Sequence, residues 1–301
     1  MQTVTAALAH LNNVVIGKDD VVKQAVACLL AGGHLLIEDL PGMGKTTLAH
    51  ALAGVFALSF QRIQFTSDML PADIVGVSVF NSEQRDFEFR QGPVFTQVLL
   101  ADEINRAAPK TQSALLEAMA EKQVTVDQQT HQLPQPFFVI ATQNPAEQGG
   151  TFPLPESQLD RFLMRLSMGY PSAAAEKALL ASGGGRTEAL HTDALFSQAE
   201  LLATLARVQA VKTNEALLDY VQRLLHYTRS CGYFPHGLSP RAGLGLLQAA
   251  RAWTYMAGRN YVVPEDVQAV FAAVAGHRLV NAATQEQPAA LRVLSAVPVL
   301  P

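Results

Sequence analysis

His34-Leu35-Leu36-Ile37-Glu38-Asp39-Leu40-Pro41-Gly42-Met43-Gly44-Lys45-Thr46-Thr47 passes from an apolar run into a glycine-rich turn and then into the helix-like segment Lys45 to Val55. The run His34 to Ile37 has the continuous apolar character of a strand buried on both faces. A strand, such a turn and a helix form a P-loop, in which glycines let successive backbone N–H groups turn inward around phosphates. The lysine reaches the β and γ oxygens, the hydroxyl binds Mg²⁺, and the following helix points its positive end at the same anion. The pattern G-x-x-x-x-G-K-S/T opens on glycine, whereas Asp39 stands there in this chain. Gly42, Gly44, Lys45 and Thr46 retain the phosphate-facing parts. The competing reading is an ordinary glycine-rich strand-to-helix turn.

Outward from this stretch, further short apolar runs occur at Phe60 to Phe65, Val98 to Ala101, Phe137 to Ala141 and Phe162 to Ser167. Helix-like segments lie between them, among them Lys110 to Lys122 after Pro109. The alternation predicts an α/β fold, a parallel sheet with helices on both faces in a three-layer αβα arrangement. Beyond Pro171 the texture changes. Ala173 to Ala181 reads as a short helix, Ser182 to Arg186 as a glycine-rich connector, and apolar residues then recur at helical spacing. Leu217, Leu218, Val221, Leu224 and Leu225 make one face, Leu244, Leu247, Ala250 and Trp253 another, and Pro264-Glu265-Asp266 begins a late helix. The expected organisation is a nucleotide-binding core over 1–171 and an all-α helical lid over 172–301.

With 301 residues, 49% of them hydrophobic and 16% charged, the chain has ample material for two globular domains. The net charge of −4 argues against coating nucleic acid or anionic lipid. Residues 1–171 carry 11 basic and 17 acidic side chains, leaving 11 and 9 of the totals of 22 and 26 for the rest. Any polyanion must therefore meet a local basic patch. Cys28 and Cys231 are too few and too far apart for a disulfide framework or a Cys-x-x-Cys metal site, and read as free thiols. With no secretory leader pattern and no run long enough to span a bilayer, the cytoplasm is the expected location.

Two segments depart from a plain alternating sheet. Val77-Ser78-Val79-Phe80 and Phe87-Glu88-Phe89 flank a polar turn, and Val124-Thr125-Val126 returns through His131 to Leu133, so hairpins are expected near 77–90 and 124–133. They are either functional insertions or decoration.

Val98 to Ala101 ends in Asp102-Glu103. A carboxylate at a strand end beside a P-loop can hold the Mg²⁺ shell, and its neighbour can polarise the attacking water. Asp102 is the expected metal residue and Glu103 the expected base; alone, such a pair is a solvated turn. Phe137 to Ala141 ends in Thr142-Gln143-Asn144-Pro145, where Asn144 is either a turn residue before proline or an amide that meets the γ-phosphate or the water. The eight histidines show no His-Glu-x-x-His spacing, and no G-x-S-x-G occurs, so neither protease nor metallo-hydrolase has support.

Taken together, Val15-Ile16-Gly17-Lys18, Leu40 to Thr46, Leu100 to Ala107, Thr142-Gln143-Asn144-Pro145 and Pro153 to Phe162 resemble the AAA+ ATPases, and the MoxR family in particular, over nearly the whole chain. By that resemblance Val15, Ile16 and Gly17 lie against adenine. Gly42, Met43, Gly44, Lys45, Thr46 and Thr47 form Walker A, Asp102 and Glu103 form Walker B, and Asn144 is sensor 1. Arg161 is implied as the arginine finger, and Arg241, in Leu238-Ser239-Pro240-Arg241-Ala242, as sensor 2 on the lid. Arg106 is a further suspect. The two hairpins stand where this branch carries a helix-2 insert and a hairpin before sensor 1; magnesium chelatase motor subunits are relatives. A fixed guanidinium can neutralise charge spreading over γ-phosphate oxygens. If Arg161 projects from the opposite edge, it does so for a neighbour's nucleotide.

The resemblance implies Mg²⁺-dependent ATP hydrolysis by a homo-oligomeric, hexameric ring with a chaperone-like role in remodelling, maturation or metal-cofactor insertion. The partner is expected on a separate chain, a protein client or one carrying a von Willebrand factor A domain. A nucleotide-gated adaptor with slow turnover is the alternative, and a nucleic-acid motor a weaker one. No aromatic-hydrophobic-glycine pore loop is evident, although Phe80 and Phe87 could substitute.

Overall fold

A computed structural model of the chain describes residues 2–83, 85–144, 150–181, 194–279 and 289–299. Two helices, α1 (Gln2–Val14) and α2 (Asp19–Leu30), lead into β1 (Leu35–Glu38), the P-loop turn and α3 (Lys45–Val55). Then come β2 (Phe60–Gln64), α4 (Pro71–Val75), a hairpin of β3 (Gly76–Asn81) and β4 (Asp86–Gln91), and β5 (Val98–Asp102). A 3₁₀ turn (Ile104–Arg106) and α5 (Pro109–Glu121) precede a second hairpin, β6 (Gln123–Val126) and β7 (Gln129–Gln132). The core closes with β8 (Phe138–Gln143), α6 (Glu156–Leu159) and β9 (Met164–Leu166). Helices follow: α7 (Ala173–Ala181), α8 (Gln198–Gln209), α9 (Glu215–Ser230), α10 (Pro240–Met256), α11 (Pro264–Ala275) and α12 (Ala289–Ala296). The expected connector at Ser182 to Arg186 lies outside the described residues, as does Pro145.

The five core strands form a parallel sheet in the order β2-β5-β8-β1-β9. Alternate residues serve opposite faces, as the period of two requires. Leu35, Ile37, Val98, Leu100, Phe138 and Ile140 join the core beneath α1, α2 and α3. Leu36, Leu99, Ala101, Val139 and Ala141 join the core beneath α4 and α5. The two-faced burial explains why these strands read as continuous apolar runs.

The first of these cores continues without a break into the C-terminal helices, where α10 packs on α2, α8 and α11, and α11 reaches β9. The buried stripe of α10 differs from the expected one. Ala250 is buried and Leu247 and Trp253 pack on the core as expected, but Leu244 is 65% exposed, while Ala242, Gly243, Leu246 and Ala249 also face inward. Small residues win because the backbone comes close: a Cβ on Gly245 would lie 2.9 Å from Leu163 Cδ1, and one on Gly243 2.7 Å from Leu225 Cδ1. On α9, Leu217, Val221 and Leu224 are buried as expected, but Leu218 faces out.

Both hairpins form, and they lean on each other through Phe89, which stacks on His131 with ring centres 4.0 Å apart. The tip of β3 and β4 carries an exposed Phe80–Phe87 edge-to-face pair. Cys28 is a free, fully buried thiol whose pKa burial pushes up, so it is inert; Cys231 is also free. Among the described residues no helix is long and apolar enough to cross a membrane.

Asp266 secures the start of α11. Its carboxylate accepts from the Val263 N–H at 3.0 Å, the Thr254 hydroxyl at 2.7 Å and the Arg259 guanidinium. Burial opposes its charge, but these donors, Arg259 foremost, hold the carboxyl below its ordinary value. Asp266→Ala should cost roughly 2 to 4 kcal/mol of unfolding free energy, less than for a fully buried pair because Arg259 keeps part of its hydration. A folded-state pKa below the unfolded one contributes stability above the unfolded value near 3.8 and loses it as pH falls through the lowered value. Urea melts of wild type and variant should therefore converge only in strong acid.

Candidate active site

A cavity of about 410 Å³ opens at the C-terminal ends of β1, β5 and β8, with β2 along its flank. Its floor is the P-loop. Gly42 and Gly44 adopt φ of +81° and +88°, the left-handed region glycine favours, and a Cβ on Gly42 would meet nothing within 4 Å. The loop thus presents backbone to open space, as an anion cradle requires, and α3 begins directly behind it. The Thr46 and Thr47 side chains line the same cavity.

Lys45 is buried, with Nζ donating to the carbonyls of Asp39 at 2.7 Å and Leu40 at 3.2 Å, and lying 3.5 Å from Asn144 Oδ1. Burial pulls its ammonium below the ordinary value, while the carboxylates of Asp102, Asp39 and Glu103 push back. Asp102 Oδ1 accepts from the Thr142 hydroxyl at 2.5 Å and Oδ2 from Arg62 at 2.7 Å. Glu103 accepts from Asn144 Nδ2 at 3.1 Å on one oxygen, and from Gln64 Nε2 at 2.9 Å and Arg106 Nε at 2.8 Å on the other. Glu103 sits at φ +56°, in the left-handed region, an unusual backbone for a non-glycine residue and one concentrated at functional sites. A Lys ammonium, a Thr hydroxyl and two carboxylates around a glycine cradle are the hard-oxygen and cationic donors that a Mg²⁺–triphosphate needs, so the residues fit that pair.

Asp39 explains the departure at the head of the motif. It lies outside the left-handed region, so glycine is not required there. Its carboxylate accepts from the Gly169 N–H at 2.7 Å, the Ser167 hydroxyl at 3.0 Å and the Leu40 N–H at 2.9 Å. Burial alone would raise this carboxyl, but those donors hold it below its ordinary value. Lys18 Nζ grips the same loop from the other side, donating to the carbonyls of Met168 at 2.6 Å and Gly169 at 2.8 Å. Val15 is buried, Ile16 half-buried, and Gly17 packs on Ala175; none of them lines the P-loop cavity, and their link to it runs through Lys18 and this loop. Met43 packs against the core rather than lining the cavity.

The two remaining arginines are elsewhere. Arg161 and Arg241 share a second cavity of about 280 Å³, at the N-terminal end of β1 beside Gly33 and His34. Arg161 donates to the Leu116 carbonyl at 2.7 Å. The Asp160 carboxylate goes to buried Arg278 at 2.6 Å, not to Arg161. Arg241, expected as sensor 2 on the lid, stands on α10 at this second cavity and does not line the P-loop cavity of its own chain. His34 is buried and pushed down to about 4 by burial. Its Nδ1 accepts the Val139 N–H at 3.0 Å, so the proton resides on Nε2, which faces the Met119 carbonyl.

Sequence reasoning missed Arg62, Gln64, Thr142 and Arg278. A signal for the first two exists: two polar residues at i and i+2 in the apolar run Phe60 to Phe65 place both on one face, and β2 pairs with β5 so that Gln64 is level with Asp102.

A family model for the ATPase family associated with various cellular activities (AAA) matches residues 34–164, and an AAA lid domain model matches residues 226–295. Chaperone MoxR1 of Mycobacterium tuberculosis is 39% identical over 93% of this chain and 76% of its own length. The chain belongs to the MoxR family of AAA ATPases. Protein MoxR of Paracoccus denitrificans is 32% identical over 91% of this chain and 87% of its own. The uncharacterised YeaC of Bacillus subtilis is 45% identical over 91% of this chain and 85% of its own. A solved structure of an ATPase candidate from Cytophaga hutchinsonii superposes with a TM-score of 0.90 at 34% identity, covering 99% of this chain and 94% of that one.

Asp39→Gly would restore the usual motif residue while stranding the Ser167 hydroxyl and the Gly169 N–H. The expected result is a loss of about 1 to 3 kcal/mol in stability with weaker nucleotide binding, read by calorimetric melting and by titration with a fluorescent ADP analogue.

Proposed function

We propose that this MoxR-family chain hydrolyses ATP with Mg²⁺ at the P-loop cavity, in a ring whose subunits complete one another's sites, and couples turnover to remodelling of a separate protein. The convergence of Lys45, Asp102, Glu103 and Asn144 from three adjacent strand ends carries this reading. Lys45 leaves the Asp39 and Leu40 carbonyls to neutralise β and γ oxygens, and the P-loop N–H groups hold the phosphates. Thr46 and Asp102 would hold Mg²⁺, which supplies charge neutralisation there. Glu103 accepts a proton from the attacking water, and Asn144, hydrogen-bonded to Glu103 and next to Lys45, couples the base to the γ-phosphate.

The shared cavity of Arg161 and Arg241 supports a role for both at a neighbour's nucleotide. A guanidinium at the transferring phosphoryl group is worth on the order of 10³ to 10⁵ in rate. Such sharing calls for a closed ring, and six subunits is the size we propose. The division into a core over 1–171 and a lid over 172–301 is supported by the separate AAA and lid matches. The client, or a partner with a von Willebrand factor A domain, lies on another chain. The exposed Phe80–Phe87 tip is the surface we assign to it, because an aromatic pair in water gains most by being covered. One observation favours slow, partner-gated turnover as a second reading: Asn144 holds one oxygen of Glu103 and Gln64 and Arg106 hold the other, so turning the carboxylate to an attacking water requires these three hydrogen bonds to rearrange.

Lys45→Ala should abolish nucleotide binding, whereas Glu103→Gln should bind ATP and fail to turn it over; steady-state phosphate release with binding measured in parallel separates the two. Normal hydrolysis by Glu103→Gln would sink the base assignment. Mixing Arg161→Ala with Lys45→Ala subunits should restore part of the activity, since mixed neighbours form intact shared sites. No recovery at any mixing ratio would count against sharing.

A further inference from the structure

Thr142 lies on β8, one of the strands flanking β5, and its side chain is fully buried. Its hydroxyl accepts the backbone N–H of Glu103 at 2.9 Å and donates to Asp102 Oδ1 at 2.5 Å. A hydroxyl has one proton, so once the Glu103 N–H occupies a lone pair, that proton has one destination, the Asp102 carboxylate. The bond direction is therefore fixed: N–H to Oγ, then O–H to Oδ1. Threonine is stiff at χ1, which holds the relay in place.

We infer that Thr142 is a positioning residue for both acids of this site. The inference rests on the roles proposed for Asp102 and Glu103 and adds the group that aims them. By engaging Oδ1, Thr142 leaves Oδ2 as the Asp102 oxygen turned to the cavity, where Arg62 now meets it. By accepting the Glu103 N–H, it supplies the partner that this amide needs in its left-handed conformation, φ +56°. That backbone sets the direction of the Glu103 side chain towards Asn144. One hydroxyl thus governs which oxygen meets the metal and where the base points. Groups that orient ligands through hydrogen bonds typically change metal affinity or activity about 10- to 100-fold when removed.

The test compares full-length wild type with Thr142→Val, which keeps the shape and removes the hydroxyl, and Thr142→Ser, which keeps the hydroxyl. Binding of a fluorescent ADP analogue is titrated with Mg²⁺ and repeated in EDTA, kcat and KM for ATP are measured separately, and Glu103→Gln serves as the reference. For Thr142→Val we expect about a tenfold higher half-saturating Mg²⁺ and about a 10- to 100-fold lower kcat, with binding in EDTA unchanged and Thr142→Ser within about threefold of wild type on every readout. A purely structural role would lower the melting temperature without moving the Mg²⁺ midpoint of the folded protein. Should Thr142→Val not fold, Thr142→Ala against Thr142→Ser makes the same comparison, with Ala expected to behave as described for Val. A wild-type Mg²⁺ midpoint and kcat in the hydroxyl-free variant, with Glu103→Gln inactive, overturns the inference and leaves the site assignment standing. Equal impairment of the Ser variant also overturns it. Normal turnover by Glu103→Gln removes the base assignment, and the inference with it.

Discussion

Parallel alignment of β2, β5, β8 and β1 brings their C-terminal ends to the same side of the sheet, and the polar groups of the candidate active site depend on that alignment. Asp102 and Glu103 come from β5, Thr142 and Asn144 from β8, and Asp39 and the P-loop from β1. Residues 39 to 99 positions apart meet within hydrogen-bonding distance because sheet register, not chain proximity, places them. The cost is a dense cluster of carboxylates, which the structure offsets locally with Lys45, Arg62 and Arg106 rather than with any overall basic charge. This is why an acidic core can hold a triphosphate site.

The opposite end of the same sheet gathers Arg161 and Arg241. A parallel sheet has two chemically distinct ends, and one chain cannot bring both to a single nucleotide. The proposed ring resolves this by letting a neighbouring copy supply those arginines, and within each copy one continuous core runs from α1 through α11. Arg278 contributes by holding Asp160 in an ion pair beside Arg161 and by capping the carbonyls of Phe162 and Leu163.

Much of this was legible in the residues. The P-loop needs only local chemistry, so Gly42 to Thr46 announced it, and strands buried on both faces announced themselves as apolar runs. The hairpins were visible because period-two alternation survives in exposed strands. Helix α1 leaves only a faint trace in the sequence, Val4, Ala7 and Leu11 recurring at helical spacing along one buried face. On α10 the periodicity held at Leu247, Ala250 and Trp253 and failed at Leu244, where close packing selects glycine and alanine instead. The placement of Arg241 and the relay through Thr142 depend on tertiary register, which no local pattern encodes. Arg62 and Gln64 were half-hidden: their spacing was on view, but only the pairing of β2 with β5 shows that they meet the two acids.

In the proposed ring, one folded chain holds a phosphate site that it cannot complete alone. ATP turnover per subunit, measured across a dilution series with the association state followed by light scattering, tests it most directly. Turnover per subunit should fall towards zero as the assembly dissociates, while binding of the ADP analogue by the monomer persists. Constant turnover per subunit in a demonstrated monomer would contradict it.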